Sequence, residues 1–503
     1  MAAPNLLNSA LMVDPIFLDP VLVAAQAPPG LVFKAVSKLQ ATVLSVSADA
    51  GAFSGSDSFN PEATISNWRG LGVVTEATGA DGLDIDAAAG QNAMPASVFQ
   101  SVASGLLNSS LVVGADTNTV IASATSNLLA TAQTVAAGSI GIDIDAVAVA
   151  AQQADGLLNS SVTIGRQGAL LGSVLLDVAA IASNVGDPTS DGDDAFARIG
   201  VDADGVDQGS NQAISIGAVG SVQGQARVGG GALAETVNGS AEVQGDLSAL
   251  GLSLGSAADI TIGAAGDISG LAVIGEWSGA NLVDLLDLRA VAVAEDALSS
   301  AVVDAAGIRG TDSNATSTPG NTPGSNQTLL TAGPLGGNVV GQAFAGLNTV
   351  ATTTGDPRSI GATADNAVAE VDAILAGIQD VDILGGMVGA GNAITGTSQG
   401  VFETFASSVK GDALANSDVS AYGIRDSDGD GVINTSGGIQ AIATLSNTVV
   451  ARSVNGNAVA VATGSVVGLS GYSITIMGSG SLVARAESNT SSMAGSVLGG
   501  AHG

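Results

Sequence analysis

Gly105-Leu-Leu-Asn-Ser-Ser110 returns as Gly156-Leu-Leu-Asn-Ser-Ser161, each copy followed by a β-rich tetrapeptide, Leu111-Val-Val-Gly114 and Val162-Thr-Ile-Gly165. A shortened version stands at Leu6-Leu-Asn-Ser9. Self-similar segments are the mark of a chain built from stacked units, each burying its apolar face against the next, and they argue against a globule closed around one centre. A fainter and longer echo runs through the middle of the chain. Ser210-Asn-Gln212 leading to Gly224-Gln-Ala226 is answered by Ser325-Asn-Gln327 leading to Gly341-Gln-Ala343, roughly 115 residues on. Gly307-Ile-Arg309 and Gly423-Ile-Arg425 are spaced alike, with Ile199-Gly-Val201 as a candidate earlier copy.

The side chains suit such a stack. Of 503 residues 46% are apolar but only 3% aromatic, and the apolar share is mostly Ala and Val, so any core is made of thin side chains in narrow layers. Seventy glycines without a G-X-Y period remove collagen and leave turns and strand corners. Charged residues amount to 12%, and this much apolar material is enough to fold despite a net charge of −33.

The local period is that of strands. Gln40–Val46, Ala258–Ile262, Asn457–Ala462 and Ser473–Met477 are short, rich in β-branched residues and bounded by Gly, Asn or Ser. Between Asn211 and Gly275 such stretches recur about every ten residues. The expected fold is mainly β, an elongated β-solenoid or stacked β-sandwich repeats, with a few short helices. One helix is expected over Asp365–Ile378, where Val368, Val371, Ile374, Leu375 and Ile378 share a helical face; Asn281 is placed to cap a second, carrying Leu282, Leu285 and Leu286. Residues 1–30 read as an N-terminal arm, which either adds a strand to a neighbouring subunit or packs on its own body. Residues 31–310 read as a β-rich repetitive body, 311–324, with two Pro-Gly pairs, as a linker or long loop, and 325–503 as a further β-rich repeat.

Charge limits the partners. With 46 acidic residues against 13 basic ones there is no basic patch for phosphates, so nucleic acid and anionic lipid are not expected partners. No apolar span reads as a transmembrane helix, and the N-terminus, without Lys or Arg before Lys34, is not a conventional signal peptide. Export would then rest on a signal already removed or on the small, polar tail Ser491–Gly503. The absence of cysteine, with this excess of acid, suits an extracellular or cell-surface setting where salt or divalent cations screen the charge.

The most specific motif is Asp426-Ser-Asp-Gly-Asp430-Gly-Val-Ile-Asn434. Hard divalent cations need several converging oxygens, and alternate residues of a tight loop deliver them. Asp426, Asp428 and Asp430 fall at the first, third and fifth positions of a calcium loop, Gly431 at the turning position, Val432 where a backbone carbonyl is offered, and Asn434 beyond it. The stretch resembles the Asp-x-Asp-Gly-Asp-Gly loops of secreted calcium-binding repeats, which makes calcium the expected cofactor. Gly437 stands where an EF-hand places its bidentate glutamate, so another carboxylate has to complete the shell. Asp202, Asp204 and Asp207, with Asp191, Asp193 and Asp194 nearby, are a second candidate. Asp84 with Asp86, and Asp143 with Asp145, put carboxylates on one side of a strand and read as its polar face.

Catalytic constellations fail by inventory. There is no thiol, the one histidine is His502, and no Walker loop or dinucleotide fingerprint follows a strand in the right context, so no enzyme is expected. Trp68, Trp277, Tyr422 and Tyr472 are too dispersed for a sugar-stacking platform and read as local anchors. In broad composition the chain resembles repetitive bacterial surface-fibre and adhesin proteins. That resemblance implies a secreted structural protein that assembles with itself into a filament, sheath or surface fibre stabilised by calcium. A surface-layer lattice protein, an adhesin binding a host or a cell-surface polysaccharide, and a β-helical polysaccharide-degrading enzyme are the alternatives.

Overall fold

A short strand, a long strand and a medium strand follow one another along the chain, and the trio then repeats one layer further on. Ala213–Ile216, Val219–Thr236 and Ala241–Leu254 make one such coil. In the next coil Asp259–Ile262 lies parallel to the first of these, Ala265–Ile274 to the second and Ala297–Arg309 to the third. The result is a β-solenoid with three sheets, a nine-stranded one of short strands, a twelve-stranded one of mainly long strands and an eleven-stranded one of mainly medium strands, parallel throughout except where Asp49–Ser56 meets Leu83–Gly90 and Ala63–Ser66 meets Val74–Thr78. The computed structural model describes residues 10–13, 31–46, 49–56, 63–66, 74–78, 83–90, 102–107, 110–113, 117–135, 145–164, 167–185, 194–278, 281–311, 329–331, 336–355, 365–384 and 393–502.

The sequence echoes are stacked residues. Leu106 and Leu107 of the first hexapeptide lie in register with Leu157 and Leu158 of the second, one coil apart. Gly224 is in register with Gly270 and Gly270 with Gly341, so the longer echo spans two coils. Arg309 and Arg425 are likewise two coils apart, through Gln379. The proposed earlier copy at Ile199–Val201 is out of place: Ile308 aligns through Leu252 with Val206. The stretch 312–328, which holds most of the expected linker, lies outside the described residues, and the sheets are continuous across it, since Ala297–Arg309 pairs with Ala367–Gln379. Of the expected arm, Ala10–Val13 pairs in the chain's own short sheet with Ser110–Val113.

Among the described residues there is no helix, which corrects the expectation of a few short ones. Ala367–Gln379 is a strand that buries Ala367, Ala369, Val371, Ala373 and Leu375 and leaves Ile374 40% exposed. The helical face came from following the large aliphatic residues. In a thin core alanine is the buried residue, and the period of the alanines is two. At the second site Asn281–Asp284 pairs antiparallel with Glu276–Ser278, and Leu286–Ala292 rejoins the long sheet. This excursion lets Trp277 pack on Phe344 at 5.3 Å between ring centroids.

Two cores run along the stack. The wider part, between the long and medium strands, is filled largely by alanine, as in Ala146, Ala195, Ala241, Ala297, Ala367, Ala413 and Ala458, which stack in register. The narrower part, beneath the short strands, holds larger residues such as Ile164, Ile216, Ile262 and Ile383. A column of glycines divides them. Gly156, Gly205, Gly251, Gly307, Gly377, Gly423 and Gly468 fall at equivalent places in seven successive medium strands. A Cβ on Gly205 would meet the amide nitrogen of Gln225, and one on Gly251 that of Leu271, so the two sheets touch backbone to backbone along this line.

Turns are pinned from coil to coil. Ser453 Oγ donates to the Gly411 carbonyl and accepts from the Gly456 N–H, each at 2.8 Å. Ser496 does the same one coil on, with Gly456 and Gly499. Beside these serines, Asp194, Asp296, Asn366, Asp412 and Asn457 each accept a backbone N–H from the following coil, at 2.7 to 3.1 Å.

Candidate cation sites

The loop Asp426–Asp430 leaves the medium strand Ala413–Arg425 and enters the short strand Gly431–Thr435. Asp426, Asp428 and Asp430 each bring a carboxylate oxygen within 4.8 Å of the others. Asp426 Oδ2 accepts the N–H groups of Gly429 and Gly431, both at 2.9 Å, and the Asp430 N–H is donated to Asp428 Oδ1 at 3.2 Å. The left-handed turn falls on Gly429, φ 88°, and not on Gly431, where the motif placed it. Gly431 is required for a different reason, because a Cβ there would press on the Tyr472 ring and the Asp426 carboxyl.

The preceding coil holds this loop from below. Asp380 accepts from the Ser427 N–H at 2.8 Å, and Asp382 Oδ1 accepts from the Val432 N–H at 2.7 Å. Val432 and Asn434 stand on the strand after the loop, with Ile433 in register with Ile383. Burial pushes Asp426 up to about 6 against the pull of its two amide donors, and pushes Asp382 up to about 6, with Asp430 adding to the rise. Two carboxyls lifted this far mark a site where negative charge is costly unless a proton or a cation is present.

The second group forms at the glycine column, where the alternation of buried and open residues along the medium strands shifts by one, an elbow in the strand. Residues just before and just after the glycine face each other there. In one coil Arg309 forms a bidentate ion pair with Asp304. In another Arg425 lies over the Tyr422 ring, 4.4 Å from its centroid. Two coils before the Arg309 pair, the same elbow holds acids alone: Asp204 and Asp207, joined by Asp155 from the coil below, with oxygens within 4.8 Å of one another. Asp155 is fully buried and Asp204 is 4% exposed. Burial drives Asp204 well above the usual carboxylate range, Asp202, Asp155 and Asp207 push in the same direction, and Arg309 pulls the other way. Burial lifts Asp207 to about 6, opposed by a hydrogen bond from Ser253.

Of the expected second cluster, then, Asp204 and Asp207 converge, Asp202 is exposed beside them, and Asp194 serves the turn ladder. Asp191, Asp193, Asp143 and Trp68 lie outside the described residues, as do the side chains of Asp84 and Asp86. Asp155 was missed. Its signal is the matching pair Ala154-Asp-Gly156 and Ala203-Asp-Gly205, a carboxylate directly before a column glycine in two successive coils. A surface groove of about 580 Å³ follows the turn ladder, with Glu242, Asp296 and Asp412 as its charged walls and no Lys or Arg among its lining residues. No helix among the described residues is long and apolar enough to cross a membrane. Neither a family model, nor a curated protein, nor a solved structure matches this chain.

Proposed function

We propose that this chain is an extracellular structural protein that joins end to end with copies of itself into a filament, sheath or surface fibre, and that calcium stiffens the assembly. The observation that carries this reading is the stacking of like coils, each of which accepts the next by the same parallel register and the same turn. The strand Leu482–Ser496 pairs on one side with Ile439–Ser453, and no strand of the described residues pairs along its other side. Its inward and outward residues are almost all exposed, with Leu482 48%, Val483 50% and Met493 62% open, and Leu498 just beyond it 75%.

An exposed edge of this length, covered by no helix of the described residues, is a template for another strand. What it fits is a further coil of the same kind, because each coil already accepts the next through parallel pairing and the repeated Ser-x-x-Gly turn. The net charge of −33 keeps unassembled chains apart, and screening it favours assembly. The carboxylate groups around Asp426 and Asp204 offer oxygen ligands only, the preference of calcium and related hard cations. Replacing both Val483 and Met493 with Lys places two charges on the edge. Sedimentation should then shift from polymer to monomer while the circular dichroism spectrum stays that of the parent; unchanged polymer sizes would remove the edge from the account.

A further inference from the structure

We infer that Asp155, Asp204 and Asp207 form a buried site for a calcium-class divalent cation, bridging two successive coils at the elbow of the solenoid. Asp155 stands on the strand Ala146–Leu158 and Asp204 and Asp207 on Ala195–Gln208, with Asp155 in register with Asp204. A cation held by all three would therefore cross-link neighbouring layers.

Three independent observations carry the assignment. Asp204 Oδ1 is buried without a hydrogen-bond partner although its side chain sits among carboxylates. An ionised oxygen in that position is strongly disfavoured unless a counter-charge meets it. Next, the ladder position turns apolar in the following coils: Ser104, Asp155 and Asp204 are followed in register by Leu250, Ala306 and Ala376, which pack as a small apolar cluster. Asp204 thus stands, with its Oδ1 unpartnered, at a place that the next three coils fill with carbon. Finally, the elbow shows how it is neutralised when the chain supplies its own cation. Asp202 aligns through Ser248 with Asp304, and Asp207 through Ser253 with Arg309. The pair that is Asp and Arg in the later coil is Asp and Asp in the earlier one. The guanidinium of Arg309 is paired with Asp304 there and reaches Asp204 only as a longer-range field; no Lys or Arg of the described residues forms an ion pair with Asp204 or Asp207.

The ligand set is carboxylate oxygen alone, with no nitrogen or sulfur donor, so a hard cation is selected over zinc or copper. The site differs from the Asp426 loop in being built on strands of two coils, so its geometry is fixed by sheet register and not by a flexible turn.

Calorimetric titration of calcium tests this on the full chain in which Asp426, Asp428 and Asp430 are all replaced by Asn, which silences the loop. Saturable uptake and a calcium-dependent rise of the melting temperature should remain in that background. Adding Asp204→Leu, the residue type of Leu250, should abolish both while leaving the chelator-treated chain at least as heat-stable as its parent. Asp155→Asn, which keeps the side chain's shape, should weaken uptake about tenfold or more. No saturable uptake in the loop-silenced chain, or uptake that persists in Asp204→Leu and Asp155→Asn, overturns the site.

Discussion

At Gly251 the medium and long sheets come so close that a single added carbon would strike the backbone of Leu271 and the carbonyl of Gly307. Such a clash is with main chain on two sides and cannot be relieved by a rotamer change, so Gly251→Ala should cost about 2–3 kcal/mol or more. Gly229, which has nothing within 4 Å of a built Cβ, is the control, and Gly229→Ala should lie within about 0.5 kcal/mol of the parent. Comparing the two melting temperatures checks the glycine column directly. The acids make a second prediction at this scale. Asp207, Asp382 and Asp426 are lifted to about 6 by burial, whereas in the unfolded chain such groups titrate near about 4. Between those values the folded chain holds more protons than the unfolded one, so their contribution to stability is full below about pH 4 and is lost as the pH rises through about 6. In chelator the protein should therefore melt higher at pH 5 than at pH 7, and calcium should flatten that dependence by favouring the ionised carboxylates. A metal-free melting temperature that rises from pH 5 to pH 7 would contradict it.

At the scale of the element, the turn between long and medium strands recurs as Thr236-Val-Asn-Gly-Ser-Ala241, Ser408-Val-Lys-Gly-Asp-Ala413, Ser453-Val-Asn-Gly-Asn-Ala458 and Ser496-Val-Leu-Gly-Gly-Ala501. Ser453 is buried, and its hydroxyl ties the Gly411 carbonyl to its own turn. Ser453→Ala leaves both groups without that partner and should destabilise by about 1–2 kcal/mol, against a smaller effect for the half-exposed Ser496→Ala, measured by chemical or thermal denaturation. This repeat stands in the sequence but was not singled out there; it marks the coil better than the longer echoes do, because the turn residues are set by hydrogen bonds while the strand residues need only be small. The strands themselves were legible from β-branched alternation at Ala258–Ile262 and Ser473–Met477. Ala367–Gln379 was not, because alanine, the residue that faces the core there, is silent in a pattern weighted towards large side chains. The Asp426 loop could be read from spacing within nine residues. The elbow group could not, since Asp155 reaches Asp204 only through sheet register between coils.

Across the whole molecule, a solenoid whose stability is a sum of coils and their interfaces gains from anything that joins one layer to the next. The turn serines, the Asp/Asn ladder and the Ile-rich narrow core already do this within the chain. The proposed polymer would carry the same pairing from one copy to another, and calcium binding would lower the repulsion that 46 acidic residues impose on such stacking. Negative-stain electron microscopy of the purified chain, with chelator and with about 1 mM calcium, tests this most directly. Unbranched filaments or sheets that lengthen or stiffen with calcium are the predicted result; monodisperse single particles in both conditions would contradict the account.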